Sequence, residues 1–450
     1  MPQEAIGRGD SPALDPSDAF LPNAQPQRSR GTADSAGGDD AERDSTQPAA
    51  SRLALAVARR LHRALGASDV RFELCDGGAV GPARAQAVAT LRFGDAWAPL
   101  ALALDPDFAL GELYAKGRIA IDGSLIDFLS RTDTTTSRGG LTGAVHRALR
   151  FGAPAGWRQA LGRAAGNARH HYDVGNGFYA LWLDERMVYT CAYFAQPALS
   201  LEQAQLAKLD HVCRKLRLRP GQRVLELGCG WGALAIHMAS HYGAEVRAFN
   251  VSHEQLSWAR EQAAKQGVGS RVEFVLDDYR NAHGRFDALA SVGMLEHVGP
   301  RHYEELGRVV DRTLAPDGLA FVHTIGRSQP QPLNRWVATR IFPNAHPPAL
   351  SEMMRIFEPN GFAVLDVENL RLHYERTAQH WLARFQRAWP EIVTRVPEET
   401  ARAFELYLAG TVAAFRCGWM CLYQVVFARA KSDAAPWTRA DLYEAADGAR

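Results

Sequence analysis

The chain has 450 residues, 46% hydrophobic, 22% charged and 9% aromatic, which excludes a collagen-like, coiled-coil or wholly disordered polypeptide and supplies apolar material for two packed domains. Lys and Arg total 51 against 50 Asp and Glu, so the global basic excess of a dedicated nucleic-acid binder is missing and no nucleic-acid partner is expected. The longest apolar runs, such as Leu53 to Ala58, fall far short of the roughly 20 residues of a membrane-spanning helix. The opening MPQEAIGRGD lacks a basic start followed by an apolar stretch, so the expected compartment is the cytoplasm. Cys75, Cys191, Cys213, Cys229, Cys417 and Cys421 form no CxxC pair and no regular framework, which points to reduced thiols.

Residues 1–50 carry nine acids and four arginines among many Pro, Gly and Ser, with almost no apolar periodicity, and are expected to be a disordered tail. A small folded unit of mixed helix and strand is expected over 51–130. It starts with the helically spaced SRLALAVARRLHRALG and continues through the strand-like VRFEL and AVATLRF. Between Arg131 and Arg169 stand seven arginines and one acid, Asp133, interleaved with Leu141, Val145, Leu149, Phe151, Trp157 and Leu161. This 131–170 segment reads as a basic amphipathic connector, the composition of a segment that meets anionic lipid at a bilayer surface; a solvated linker is the plainer reading.

From about Pro197 the pattern alternates regularly: helix 200–218, strand RVLELG, helix 231–242, strand EVRAFN, helix 253–267, then the strands RVEFVLDD and FDALASVG, helix 301–313 and strand GLAFVHTIG. Two more strands, FAVLDVENL and LYQVVFARA, are separated by about 50 residues of helical character. Such alternation means an α/β fold with a largely parallel sheet covered on both faces, and ligands at the carboxyl ends of its strands.

The first of these strands ends in Glu226 and enters Gly228, Cys229, Gly230, Trp231, Gly232. Glycines there let backbone approach a ligand closely. The spacing also satisfies a dinucleotide pattern. Three features favour S-adenosylmethionine over NAD: an acid before the loop suits an ammonium group and repels a pyrophosphate, Trp231 is bulky where a pyrophosphate needs close approach, and the next strand ends in Asn250, its only acid, Glu245, lying at the wrong end. NAD and a merely structural loop remain the alternatives.

The glycine loop, HYDVGNGFY (171–179), YTCAYF (189–194), VGMLEHVGP (292–300), FVHTIG (321–326), IFPN (341–344) and WPEI (389–392) together resemble, in order and spacing, the cyclopropane fatty acid synthase family. The resemblance spans about 170–430, with a weaker echo in LGELYAKGRIAIDG (110–123). It implies a Rossmann-like, seven-stranded methyltransferase sheet with helical insertions over 171–450, and a small N-terminal α+β domain for lipid binding or dimerisation. The implied activity is transfer of a methylene from S-adenosylmethionine to the cis double bond of acyl chains in membrane phospholipids. The implied route is a carbocation deprotonated by bound bicarbonate.

Carried over motif by motif, the bicarbonate site is Cys191, Glu296, His323, the backbone of Ile325, and Tyr407 in FELYLAG. The cofactor site is Tyr189, Thr190, Glu226, Gly228, Gly230, Gly232, Asn250, Gln255, Asp278 and Tyr279. Each has a plainer explanation: Cys191 and Tyr407 suit a packed core, Glu296 and His323 an orienting hydrogen bond, Asp278 a helix cap. His170 with His171, and Glu296, His297 and His302, lack H-E-x-x-H spacing, so no metal is expected. The apolar insertion 327–350, with Trp336, Ile341 and Phe342, suits a cover for an acyl chain; it departs from the usual family pattern at Ala345 and Ala349. The resemblance implies an enzyme peripheral on the inner face of the cell membrane, with anionic phospholipid as partner and a homodimer as its assembly. Two competing functions are a sister lipid methyltransferase giving a methyl-branched or unsaturated product, and a lipid-binding protein with an inactive domain.

Overall fold

The computed structural model describes residues 49–66, 68–132, 175–433 and 437–443. The expected tail, except its last two residues, and the expected connector from Asp133 onward lie outside the described residues, as do residues 171–174 of the HYDVGNGFY motif.

Helix Ala49–Leu65 begins two residues before Ser51 and lays Ala54 and Ala58, whose small side chains permit close approach, onto a four-stranded sheet. Its strands are β1 (Val70–Glu73), β2 (Ala79–Val80), β3 (Ala89–Phe93) and β4 (Ile119–Gly123), in the order β2-β1-β3-β4. β1 and β3 run parallel and the outer pairs antiparallel. Val70, Phe72, Leu91, Phe93, Ile119 and Ile121 are buried, the period of two expected of a sheet covered on one face. Between β3 and β4 lie the helices Ala98–Leu104 and Pro106–Ala115, and helix Leu125–Arg131 follows β4.

The second sheet contains β5 (Arg223–Leu227), β6 (Glu245–Asn250), β7 (Val272–Leu276), β8 (Phe286–Val292), β9 (Leu314–Gly326), β10 (Phe362–Asn369) and β11 (Cys421–Arg429), ordered β10-β11-β9-β8-β5-β6-β7. Only β11 runs against the rest. Alternate residues feed two cores. Val224, Ala288 and Phe321 face the helices Leu201–Lys215, Ala233–His241 and His253–Lys265; Leu225, Leu289 and Val322 face Tyr303–Thr313 and Leu350–Phe357. The sequence order reverses between β5 and β8, opening the crevice above their carboxyl ends where such sheets hold ligands.

The segment between β10 and β11 forms the helices Arg371–Arg387, Trp389–Arg395 and Glu398–Arg416. Helix Glu398–Arg416 receives the N-terminal unit: Tyr114 donates its hydroxyl to Glu405 Oε2 at 2.9 Å, and Arg402 donates to the Tyr114 carbonyl at 2.8 Å while lying over its ring. The insertion after β9 docks on the same unit. A Cβ at Gly111 would lie 2.2 Å from the Trp336 ring, so only glycine admits this contact.

Candidate active site

The loop after β5 takes three left-handed turns, with φ of +83° at Gly228, +54° at Gly230 and +82° at Gly232, a conformation other residues adopt at a cost. Two of the glycines are demanded by the protein's own packing. A Cβ at Gly228 would strike Met294 at 2.8 Å, and one at Gly232 would strike Ala259 and Phe274 at 2.8 and 2.9 Å. A Cβ at Gly230 meets nothing within 4 Å, so there the cradle is open. Asn250 locks the loop: its amide nitrogen donates to the Gly230 carbonyl at 3.0 Å and to Gln255 Oε1 at 2.8 Å, and its oxygen accepts from Val251 and Ser252. Asn250 thus shapes the loop with its whole hydrogen-bonding capacity, leaving Gln255 to offer its amide nitrogen. Trp231 turns into the protein, donating to Asn176 at 2.8 Å beside Tyr179.

Glu226 shares the face of Val224 and His323 that of Phe321, so both point towards helix Leu201–Lys215. That helix carries a residue the sequence reading missed. Lys208 is only 2% exposed and donates to Thr190 Oγ1 at 2.8 Å, while Gln205 one turn earlier donates to the Thr190 carbonyl at 2.9 Å. Burial lowers the Lys208 ammonium to about 8, against the attraction of Cys191, Asp184 and Glu226. Burial raises Glu226 to about 8, with Lys208 pulling the other way; its Oε2 has no hydrogen-bond partner among the described residues. The available signal was Lys208 four residues from Ala204 and Val212 on an apolar helix face.

Glu296 follows β8 in the short turn Leu295–His297. Its Oε1 accepts from the Ile325 backbone N–H at 2.7 Å, its carbonyl accepts from His346 N–H at 2.7 Å, and its buried Oε2 has no hydrogen-bond partner among the described residues. Burial raises its carboxyl to about 7. His323, fully buried in β9, is held far below the usual histidine range by burial and by the field of Lys208 and Lys215. Gln424 on the adjoining β11 faces His323 Nδ1 at 3.2 Å; with the amide nitrogen as donor, the ring proton sits on Nε2, which has no partner among the described residues. Cys191 gives its thiol to the Ala192 carbonyl at 3.2 Å, and burial raises it far above the ordinary thiol range, so it is a neutral donor and no nucleophile.

Tyr407 and Tyr189 meet hydroxyl to hydroxyl at 3.2 Å. Phe342 of the insertion sets its ring edge-on to Tyr407, at 5.4 Å, and lies 6.0 Å from the His297 ring, linking helix Glu398–Arg416 to the Glu296 turn. Asp278 lies apart from this cluster's bonds: it caps the turn Tyr279–Asn281 by accepting from Arg280 N–H and is clasped by the Arg280 guanidinium at 2.9 and 3.2 Å. Burial raises the Tyr279 hydroxyl above its ordinary range. Glu296 and Ile325 are thus joined directly, as are Tyr189 and Tyr407, and Thr190 and Lys208, whereas His323 bonds across the sheet.

A family model described as mycolic acid cyclopropane synthetase matches residues 159–425. The chain belongs to that family. The chain is similar to the cyclopropane-fatty-acyl-phospholipid synthase of Escherichia coli K12, 43% identical over 263 residues, covering 58% of this chain and 67% of the relative. A probable fatty acid methyltransferase of Pseudomonas putida is 40% identical over 285 residues, covering 61% and 72%. Among solved structures, the cyclopropane synthase MmaA2 of Mycobacterium tuberculosis superposes with a TM-score of 0.57 at 28% identity, covering 59% of this chain and 98% of that one. The mycolic acid cyclopropane synthase CmaA1 complexed with SAH and CTAB gives 0.56 at 28%, covering 58% and 97%. The fold is that of an S-adenosylmethionine-dependent methyltransferase, and the family assignment makes this chain an enzyme of that type. The open cradle at Gly230 and the unpartnered Glu226 oxygen fit the cofactor, whose ammonium a buried carboxylate would bind. No helix of the described residues is long and apolar enough to cross a membrane.

Proposed function

We propose that this methyltransferase adds a methylene from S-adenosylmethionine across the cis double bond of an unsaturated acyl chain in a membrane phospholipid, giving a cyclopropane ring. The observation that carries the reading is Glu296: a buried carboxyl with one oxygen fixed by Ile325, the other without a partner among the described residues, and a pKa near neutrality. When bound, S-adenosylmethionine supplies an electrophilic methyl and bicarbonate a proton acceptor. Glu226, Gly230 and Gln255 would hold the first; protonated Glu296, His323 Nε2 and, once turned from the Ala192 carbonyl, the Cys191 thiol would hold the second. The aromatic wall of Tyr189, Tyr407 and Phe342 excludes water, and its ring faces stabilise a carbocation in the acyl chain. Glu296 would hold the proton acceptor, and the neutral His323 and Cys191 present no competing nucleophilic anion.

The sister reading, a methyl-branched product, draws support from the Pseudomonas putida relative, which is named a fatty acid methyltransferase. Incubation with S-adenosylmethionine and vesicles of monounsaturated phospholipid tests the common part. The expected result is a mass gain of one methylene per double bond, lost in the presence of SAH; a lipid of unchanged mass would contradict both readings. The membrane surface is the expected site of action, with anionic lipid favoured.

A further inference from the structure

Lys208 is a buried cation to which the proposed chemistry gives no task. Of its three N–H donors, one is spent among the described residues, on Thr190 Oγ1 at 2.8 Å. Asp184 and Glu226 attract it through the field alone, and no carboxylate forms an ion pair with it among the described residues. Asp184 spends its two oxygens on the backbone N–H groups of Arg186 and Val188, at 3.1 and 2.8 Å. Glu226 Oε2 has no hydrogen-bond partner among the described residues. An ammonium held out of water without a paired anion is costly, so its position calls for an anion that arrives with a ligand.

Thr190 is the group between Lys208 and the site. Gln205 donates to its carbonyl at 2.9 Å, and its methyl lies so near Gly293 that a Cβ there would stand 2.8 Å from it. Gly293 directly follows β8, so Thr190 stands at the crevice between β8 and β5, close to Glu226 near the end of β5. A hydroxyl has one proton to give and lone pairs that accept; an ammonium can only donate. Thr190 Oγ1 therefore accepts from Lys208 and has to give its own proton elsewhere, and no described residue takes it. Polarised by the cation behind it, this O–H is a donor suited to an anion. S-adenosylmethionine has one anionic group, the carboxylate of its amino-acid end, adjacent to the ammonium that Glu226 fits.

We propose that Lys208 is a positioning residue for the cofactor: through Thr190 it directs a hydroxyl donor onto the carboxylate of S-adenosylmethionine, while Glu226 takes the ammonium beside it. The two substituents of the amino-acid end are thereby told apart, which fixes the rotation of that end in the crevice. This rests on the cofactor site of the proposed function and not on the fate of the lipid.

Titration calorimetry of the full chain in bicarbonate-free buffer tests it, comparing S-adenosylmethionine with its decarboxylated analogue, which keeps the sulfonium and the amine. Wild type should bind S-adenosylmethionine at least about tenfold more tightly than the analogue. Lys208→Met should lose that preference, binding S-adenosylmethionine at least about tenfold more weakly than wild type and the analogue within about twofold of it. Glu226→Gln should weaken both ligands. Thr190→Val should lose the preference as Lys208→Met does, and Thr190→Ser, which restores the hydroxyl, should restore it; this pair carries the test should Lys208→Met fail to fold. A lysine that only supports the fold would weaken both ligands alike. Equal weakening of the two ligands in Lys208→Met, wild-type affinity for S-adenosylmethionine in that variant, or a Thr190→Val protein that still prefers the carboxylate would each overturn the assignment. No lipid enters the titration, so an absence of lipid product would strike the proposed reaction and leave this assignment standing.

Discussion

The Ile325 backbone N–H donates to Glu296 Oε1 at 2.7 Å, tying the turn after β8 to the end of β9. One carboxyl oxygen is thereby fixed while the other stays buried with no partner among the described residues, and burial brings the group to about 7, where both protonation states are populated at neutral pH. Glu296→Gln keeps the shape and removes the titration. It should lower kcat by about 10²-fold or more and leave the affinity for S-adenosylmethionine close to wild type. Saturation kinetics paired with titration calorimetry checks both; wild-type kcat would remove Glu296 from the chemistry.

Gly230 separates ligand space from packing space. Gly230→Ala adds one methyl where the protein has no atom within 4 Å, at a φ of +54° that costs a non-glycine residue about 1–2 kcal/mol. The variant should fold with a modestly lower melting temperature and lose much more cofactor affinity than Gly232→Ala loses per unit of retained folded protein, because the Gly232 methyl would strike Ala259 and Phe274 and act on stability. Calorimetric titration of both folded variants gives the comparison; equal affinities would contradict the cradle.

The buried carboxyls set a pH dependence of stability in the cofactor-free protein. Glu226 rises from 4.5 to about 8 and Glu296 to about 7, so the native state keeps protons that the unfolded chain releases. Their stabilisation is complete below 4.5 and is lost as pH rises through those values. His237 and His297, lowered from 6.5 to about 4, act with the opposite sign, but only below 6.5. The urea midpoint should therefore fall between pH 6.5 and 8, and Glu226→Gln should flatten most of that fall. A Glu226→Gln protein with the wild-type slope would refute the assignment to this carboxyl.

Gly111 tests whether the N-terminal unit matters to the chemistry. Gly111→Ala forces the Trp336 ring away, an overpacking cost of about 1–3 kcal/mol. The insertion also carries Phe342 against Tyr407 and His346 against the Glu296 carbonyl, so kcat should drop although Gly111 lies outside the site. Thermal unfolding with steady-state kinetics reads both; lower stability with unchanged kcat would confine the contact to a structural role.

The central strands were legible because buried parallel strands are near-continuous apolar runs, as in Leu319–Val322 and, interrupted by Glu226 alone, Val224–Leu227, and the Leu201–Lys215 helix announces itself by the Ser200–Gln203 capping box. β4 escaped notice because Ile119 and Ile121 supply only two apolar turns of the alternation. Asn250 and Asp278 were correctly located after their strands, but sequence does not tell how a polar side chain is spent. Loop backbone decides that, and it gives Asn250 to Gly230 and Gln255, and Asp278 to Arg280. Lys208 was passed over because one lysine in a helix is ordinarily solvated; its burial follows from the facing Thr190, Cys191 and Glu226, far apart in sequence.

Ring formation is the central claim, and isotope retention tests it most directly. With S-adenosylmethionine carrying a fully deuterated methyl and a monounsaturated phospholipid, closing a cyclopropane requires the new carbon to lose one deuteron and keep two. The account predicts a product with two deuterons on the added carbon and ring-proton signals at the high-field end of the proton NMR spectrum. A product that keeps all three deuterons in a methyl branch, or one with vinylic and no ring signals, would contradict it.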